Sequence, residues 1–207
     1  NSTLDAYFVT LAKSIVAKGV AGQVIIRLGW EMTGNWNPYG RQHNADGSGF
    51  RGMWDRVVPK MKAVHPFEFS WCITIGGPLD PAIFYPTNSL VDIVAVDRYD
   101  NWLPSGLTPQ QRWDRMLTEP HGLNWFSGFA ASKGKPLAVE EWALWNANNT
   151  PNGSNGGGDN PTFITNMLAW AAKNNAVHTI YYNSGSGGVG TTLQQNPKSL
   201  AAFQAAV

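Results

Sequence analysis

Short apolar, β-branched runs alternate with amphipathic helical stretches along nearly the whole chain, and this alternation predicts a parallel α/β sheet. The first helical face carries Leu4, Tyr7, Phe8, Leu11, Ile15 and Val16 and stops at Lys18-Gly19. A buried strand is expected over residues 23–28, where Val-Ile-Ile sits, followed by a Gly/Asn/Pro-rich loop over 34–49. The next helical face is Phe50, Met53, Trp54, Val57, Val58, Met61 and Val64, with Pro59 expected to kink or split it. Strands are then expected over 67–74 and 91–96, and helix over 109–133 with a break near Pro120-Gly122. A strand over 136–141, a flexible Gly/Asn loop over 153–160 and a helix over 161–175 follow. A last strand over 177–182 and a last helix over 197–207 complete the pattern.

An open doubly wound sheet and a (β/α)8 barrel both fit this order. No glycine-rich phosphate-binding motif is present, and the segments after the strands carry Glu, Asp, Trp and Tyr, which is where a barrel places its chemistry. About five strands are legible where a barrel has eight. No linker or internal repeat divides residues 1–207, so a single domain is expected.

The charge balance, 15 basic against 14 acidic residues, supplies no field to steer nucleic acid or an anionic membrane surface. No apolar run approaches the roughly 18 residues of a membrane helix. Cys72 is the only cysteine, which excludes an internal disulfide or a cysteine-rich metal site. His43, His65, His121 and His178 are isolated from one another, so no metal-ligand spacing is formed. The Gly47-Ser48-Gly49 and Gly185-Ser186-Gly187 tripeptides lack the second spacer of an esterase nucleophile elbow.

Two expected strand ends carry glutamates beside tryptophan: Arg27-Leu28-Gly29-Trp30-Glu31-Met32 and Leu137-Ala138-Val139-Glu140-Glu141-Trp142. Cleavage of a glycosidic bond uses two carboxyl groups, one to protonate the leaving oxygen and one to attack or stabilise the anomeric carbon. A poorly hydrated wall such as Trp30 and Trp36 would keep an acid protonated, and Arg27 would orient a carboxylate. Taken singly, such a glutamate reads more readily as a solvated side chain or one paired with Arg27, and it is the pair on apolar strands beside tryptophan that points to catalysis. With 10 Trp, 6 Tyr and 9 Phe, the chain has flat rings to stack on sugar faces. Trp54, Trp113 and Trp170 fall on helical faces and read as core instead.

Three segments, in the same order, resemble glycoside hydrolase family 26: Ile26 to Trp36, Val91 to Asp100, and Lys135 to Trp142. The first is similar to that family's acid/base segment, the second to its sixth barrel strand and the third to its seventh, which ends in the nucleophile. The resemblance implies the C-terminal part of a (β/α)8 barrel, with the first three strands lacking from this chain and a longer parent expected. It also implies Glu31 as acid/base and Glu141 as nucleophile. Glu140 is the competitor, and strand alternation turns it the opposite way. Tyr99 matches a tyrosine near the nucleophile, Asp97 shares its strand face, and Trp36 matches an aromatic near the cleaved bond. Arg27, Trp30, Trp71, Trp102, Trp142 and Trp145 complete the implied substrate contacts. Trp30 stands where many members have His, which leaves the identity of the sugar open.

The implied activity is that of a secreted, retaining endo-β-1,4-mannanase acting on plant polysaccharide, with no metal or cofactor. A β-glucanase or β-xylanase of the same mechanism, and a non-catalytic carbohydrate-binding protein on the same scaffold, are the alternatives. The expected partner is a polysaccharide or oligosaccharide, not nucleic acid or membrane. Open sheet edges would favour self-association.

Overall fold

The computed structural model describes residues 4–76, 79–146, 155–185 and 190–207. Among these residues five strands and six α-helices follow one another: α1 (Asp5–Ala17), β1 (Ile25–Arg27), α2 (Ser48–Lys62), β2 (Glu68–Thr74), β3 (Ile93–Tyr99), α3 (Pro109–Thr118), α4 (Leu123–Lys133), β4 (Leu137–Ala143), α5 (Pro161–Lys173), β5 (Thr179–Tyr181) and α6 (Pro197–Ala206). The chain packs as two compact units, and β3 runs from one into the other, with Ile93–Ala95 in the first and Val96–Tyr99 in the second.

In the first unit the strand order is β1-β2-β3, with β1 and β2 parallel and Ile26 opposite Phe69. Helix α2 lays Phe50, Trp54, Val57, Val58 and Met61 on this sheet, all buried. The rings meet edge-on, Trp54 against Phe69 at 6.1 Å and Phe50 against Phe84 at 6.0 Å, the arrangement that the aromatic quadrupole favours. Pro59 neither splits nor ends α2, which is one continuous helix. Pro59 lies on the exposed face, while the buried face carries the packing that holds the helix together. Asp5 in the first turn of α1 accepts a 2.8 Å hydrogen bond from Arg56 and lies 3.5 Å from Lys60, which ties α1 to α2.

In the second unit the order is β3-β4-β5, with β4 and β5 parallel and a bulge between Val139 and Trp142. The helices expected from 109 and from 161 begin where the sequence placed them. Thr108 and Gln111 form a reciprocal capping box ahead of Pro109, and Asn160 caps α5 through Phe163 N. The break at Pro120-Gly122 separates α3 from α4 as expected. Trp142 is the centre of the core between β4, β5 and α6, 5.0 Å from Tyr181 and 6.2 Å from Phe203. Trp113 and Trp170 are buried on their helices, as their spacing predicts. Residues 153–154 of the expected Gly/Asn loop lie outside the described residues.

Among the described residues, no helix is long and apolar enough to cross a membrane.

Candidate active site

In the first unit the chain leaves β1 at Arg27 and turns sharply. Gly29 and then Glu31 adopt left-handed φ values of 67° and 55°. For a side-chain-bearing residue this conformation costs on the order of 1–3 kcal/mol, and it persists only where its surroundings fix it. Here they do. Glu31 N donates to Cys72 O at 2.9 Å, and Gly34 N donates to Glu31 O at 3.0 Å. Thr33 Oγ1 donates to Thr74 O at 2.8 Å, and Trp54 Nε1 donates to Leu28 O at 3.0 Å. The turn is thereby stitched to β2 and α2 on both sides of Glu31.

The Glu31 carboxylate accepts a 2.8 Å hydrogen bond from Trp36 Nε1. The Trp36 ring lies so close over Gly34 that any Cβ there would collide with it, so this glycine is required by the approach of the ring. Trp30 is exposed, with its ring edge-on to Tyr39 at 6.2 Å and the Arg27 guanidinium 5.9 Å from its centroid. Arg27 also donates from Nη2 to Cys72 Sγ at 3.3 Å. Burial pushes the Tyr39 phenol up to about 12, with the Glu31 and Cys72 charges adding to the effect and Arg27 opposing it. Tyr39 was not singled out from the sequence. It sits mid-loop with no periodic signal, and only the fold sets it against Trp30.

In the second unit Glu141 lies near the end of β4, half-buried, and its Oε2 accepts a 2.8 Å hydrogen bond from the Tyr99 hydroxyl at the end of β3. The Tyr99 ring meets Trp145 edge-on at 5.7 Å and Tyr182 at 6.1 Å. Glu140, its neighbour, is 2% exposed and stands 3.7 Å from His178 Nε2. Strand alternation therefore separates the two glutamates into a half-open one beside Tyr99 and a buried one beside His178.

Some expected contacts are placed otherwise. Trp71 is wholly buried, donates to Phe84 O at 3.2 Å and packs on Tyr85 at 5.0 Å, so its ring fills the core and offers no face to a sugar. Trp142 is also wholly buried. It points to the helix side of β4 because it is one residue out of phase with Glu141. Asp97 is wholly buried and offers no solvent-facing oxygen to a ligand. Trp30, Trp36 and Trp102 are exposed and Trp145 is half-buried, so these rings remain available. Among the described residues, no group of three or more His, Cys, Asp or Glu side chains is placed to hold a metal ion.

The family described as glycosyl hydrolase family 26 matches residues 3–131, more than half of the chain. The catalytic domain of an endo-β-1,4-mannanase from Bacillus sp. JAMB-750 superposes at a TM-score of 0.68 and 20% identity, covering 99% of this chain and 56% of that one. A modular endo-β-1,4-mannanase from Cellulomonas fimi superposes at 0.67 and 20% identity, covering 99% and 46%. Cel5A from Thermotoga maritima, solved with mannotriose, superposes at 0.60 and 12% identity, covering 97% and 67%. The chain spans about half the length of these family 26 structures. The fold is that of part of a (β/α)8 barrel. Among curated proteins none matches this chain.

Proposed function

This chain belongs to glycosyl hydrolase family 26, and from that premise we propose that it hydrolyses β-1,4-mannan internally, with retention of configuration, using Glu31 as acid/base and Glu141 as nucleophile. The observation that carries the assignment is the Tyr99–Glu141 hydrogen bond at 2.8 Å, set against the burial of Glu140. A nucleophilic carboxylate has to reach a sugar carbon and be held in one orientation, and half-buried Glu141 beside the Tyr99 hydroxyl suits this reading, while the burial of Glu140 keeps it from a sugar. Glu31 meets a related requirement, since an over-determined backbone and the Trp36 N–H fix its carboxylate.

In the first step Glu31, protonated, gives its proton to the glycosidic oxygen while a Glu141 oxygen bonds the anomeric carbon and the leaving sugar departs as an alcohol. In the second, Glu31 as carboxylate takes a proton from water, the water oxygen bonds the anomeric carbon, and the ester to Glu141 breaks. The two inversions restore the original configuration. Exposed Trp30, Trp36 and Trp102, with Trp145 and Arg27, supply the substrate contacts in this reading. A polymer of this kind lies outside cells, so we place the enzyme in the secreted fraction.

A fluorinated mannoside that stalls at the ester tests the assignment. The expected result is a single label on Glu141, located by peptide mass spectrometry. A label on Glu140, or none on any carboxylate, overturns it. Hydrolysis rates on mannan, mixed-linkage β-glucan and xylan identify the sugar, and faster turnover of either of the last two would overturn the mannanase reading.

A further inference from the structure

The residue after Tyr99 is bound through every polar atom it has. Asp100 N donates to Ala143 O at 3.0 Å, which ties the end of β3 to β4 two residues beyond Glu141. The Asp100 carboxylate is wholly buried. Its Oδ1 accepts from Arg112 Nε at 2.7 Å and lies 2.6 Å from Arg112 Nη2, while its Oδ2 accepts from Asn160 Nδ2 at 2.7 Å. Its carbonyl accepts from Arg112 Nη2 and from Gly157 N, each at 3.0 Å. Arg112, on α3 and also buried, donates in addition to Asn155 O at 3.0 Å. A Cβ on Gly157 would collide with Asp100 Oδ2, so the backbone closes on the carboxylate as tightly as glycine permits. Gly158 N donates to Trp145 O at 2.9 Å, which brings the ring partner of Tyr99 into the same assembly.

A buried ion pair is a costly way to hold a loop, because desolvation offsets much of its attraction. A planar guanidinium fork and a carboxylate do, however, fix direction, and a buried network with every member satisfied is rigid. We propose that Asp100, Arg112 and Asn160 form a positioning clasp for Tyr99, and through it for Glu141. The clasp locks the end of β3 to β4, to the start of α5 and to the strand-end loop carrying Trp145. These residues act through Tyr99 and do not touch substrate. The inference rests on reading Glu141 as the nucleophile, but its physical core, that the clasp sets the Tyr99–Glu141 hydrogen bond, is testable without turnover.

The test uses the chain labelled with 3-fluorotyrosine, in which the Tyr99 fluorine resonance is identified by its disappearance in Tyr99→Phe. Glu141→Ala sets the displacement that marks loss of the hydrogen bond. Arg112→Lys keeps the charge and loses the fork. Asn160→Ser removes only the amide on Oδ2, and its hydroxyl still caps α5, so it folds where the first variant fails to. Both are expected to move the Tyr99 resonance in the direction set by Glu141→Ala. Arg112→Lys is further expected to lower kcat by roughly ten- to a hundredfold with little change in KM, the size expected for a displaced reacting group. In a Tyr99→Phe background most of that loss should vanish. A Tyr99 resonance that stays in place in both folded variants, or kinetic losses that multiply in the double variant, overturns the clasp. Undiminished turnover by Glu141→Ala would instead overturn the nucleophile assignment and leave the fluorine result to decide the clasp separately.

Discussion

Replacing Trp54 by Phe removes a side-chain hydrogen bond from helix α2 to the turn carrying Glu31. Trp54 is wholly buried, its Nε1 donates to Leu28 O at 3.0 Å, and its ring lies between Phe50 at 6.3 Å and Phe69 at 6.1 Å. Two losses follow. The Leu28 carbonyl, in a residue only 8% exposed, loses that donor at a cost of about 1–3 kcal/mol. The smaller ring forfeits apolar burial of about 1 kcal/mol, at roughly 0.8 kcal/mol per methylene-sized group. Together these give about 2–4 kcal/mol, or a fall in Tm of about 4–16 °C at roughly 2–4 °C per kcal/mol for a chain of this size. Urea denaturation followed by circular dichroism measures the sum. A benzothienylalanine at position 54, with the ring size kept and the N–H replaced by sulfur, isolates the first part at about 1–3 kcal/mol. If Trp54→Phe costs under about 0.5 kcal/mol, or the sulfur analogue is as stable as the parent, the hydrogen bond does not hold this turn and the reasoning fails.

Trp36→Phe removes the donor to Glu31 at 2.8 Å from a ring that is 52% exposed, so kcat/KM should fall about tenfold with Tm unchanged. A Tm loss without a kinetic one would refute this. Burial works to raise the Asp159 carboxyl, but hydrogen bonds from the Ser199 hydroxyl and from the N–H groups of Lys198 and Ser199 together outweigh it and hold the carboxyl below its ordinary value. Its folded value is lower than its unfolded one, so its stabilisation is complete above about pH 4 and is lost as pH falls through the folded value. Urea midpoints of Asp159→Asn should therefore show a shallower acid slope than the parent, and equal slopes would contradict the assignment. Helix α1 and its N-cap Leu4 present Leu4, Tyr7 and Leu11 to solvent, at 54%, 72% and 49% exposure. Sedimentation should show concentration-dependent association that Tyr7→Gln with Leu11→Gln abolishes, and a parent monodisperse at high concentration would refute it.

The sequence by itself determined the order and type of the elements. Periodicity, β-branched runs and the helix starts at Pro109 and Pro161 are local, and they placed the five strands and six α-helices of the described residues to within a few residues. It also marked the two strand-end segments holding Glu31 and Glu141, because carboxylate, apolar strand and tryptophan stand side by side in the chain. Which rings face solvent was decided only by the tertiary structure. Trp71 and Trp142 resemble Trp30 and Trp36 in sequence, yet the pleat and the helices packed above it bury the first pair and leave the second exposed. The Asp100–Arg112–Asn160 assembly joins residues 12 and 60 positions apart, and no local rule relates them. Propensity and alternation act over a few residues of backbone. Desolvation and buried hydrogen bonds depend on which distant segments arrive at one place, and folding alone supplies that information.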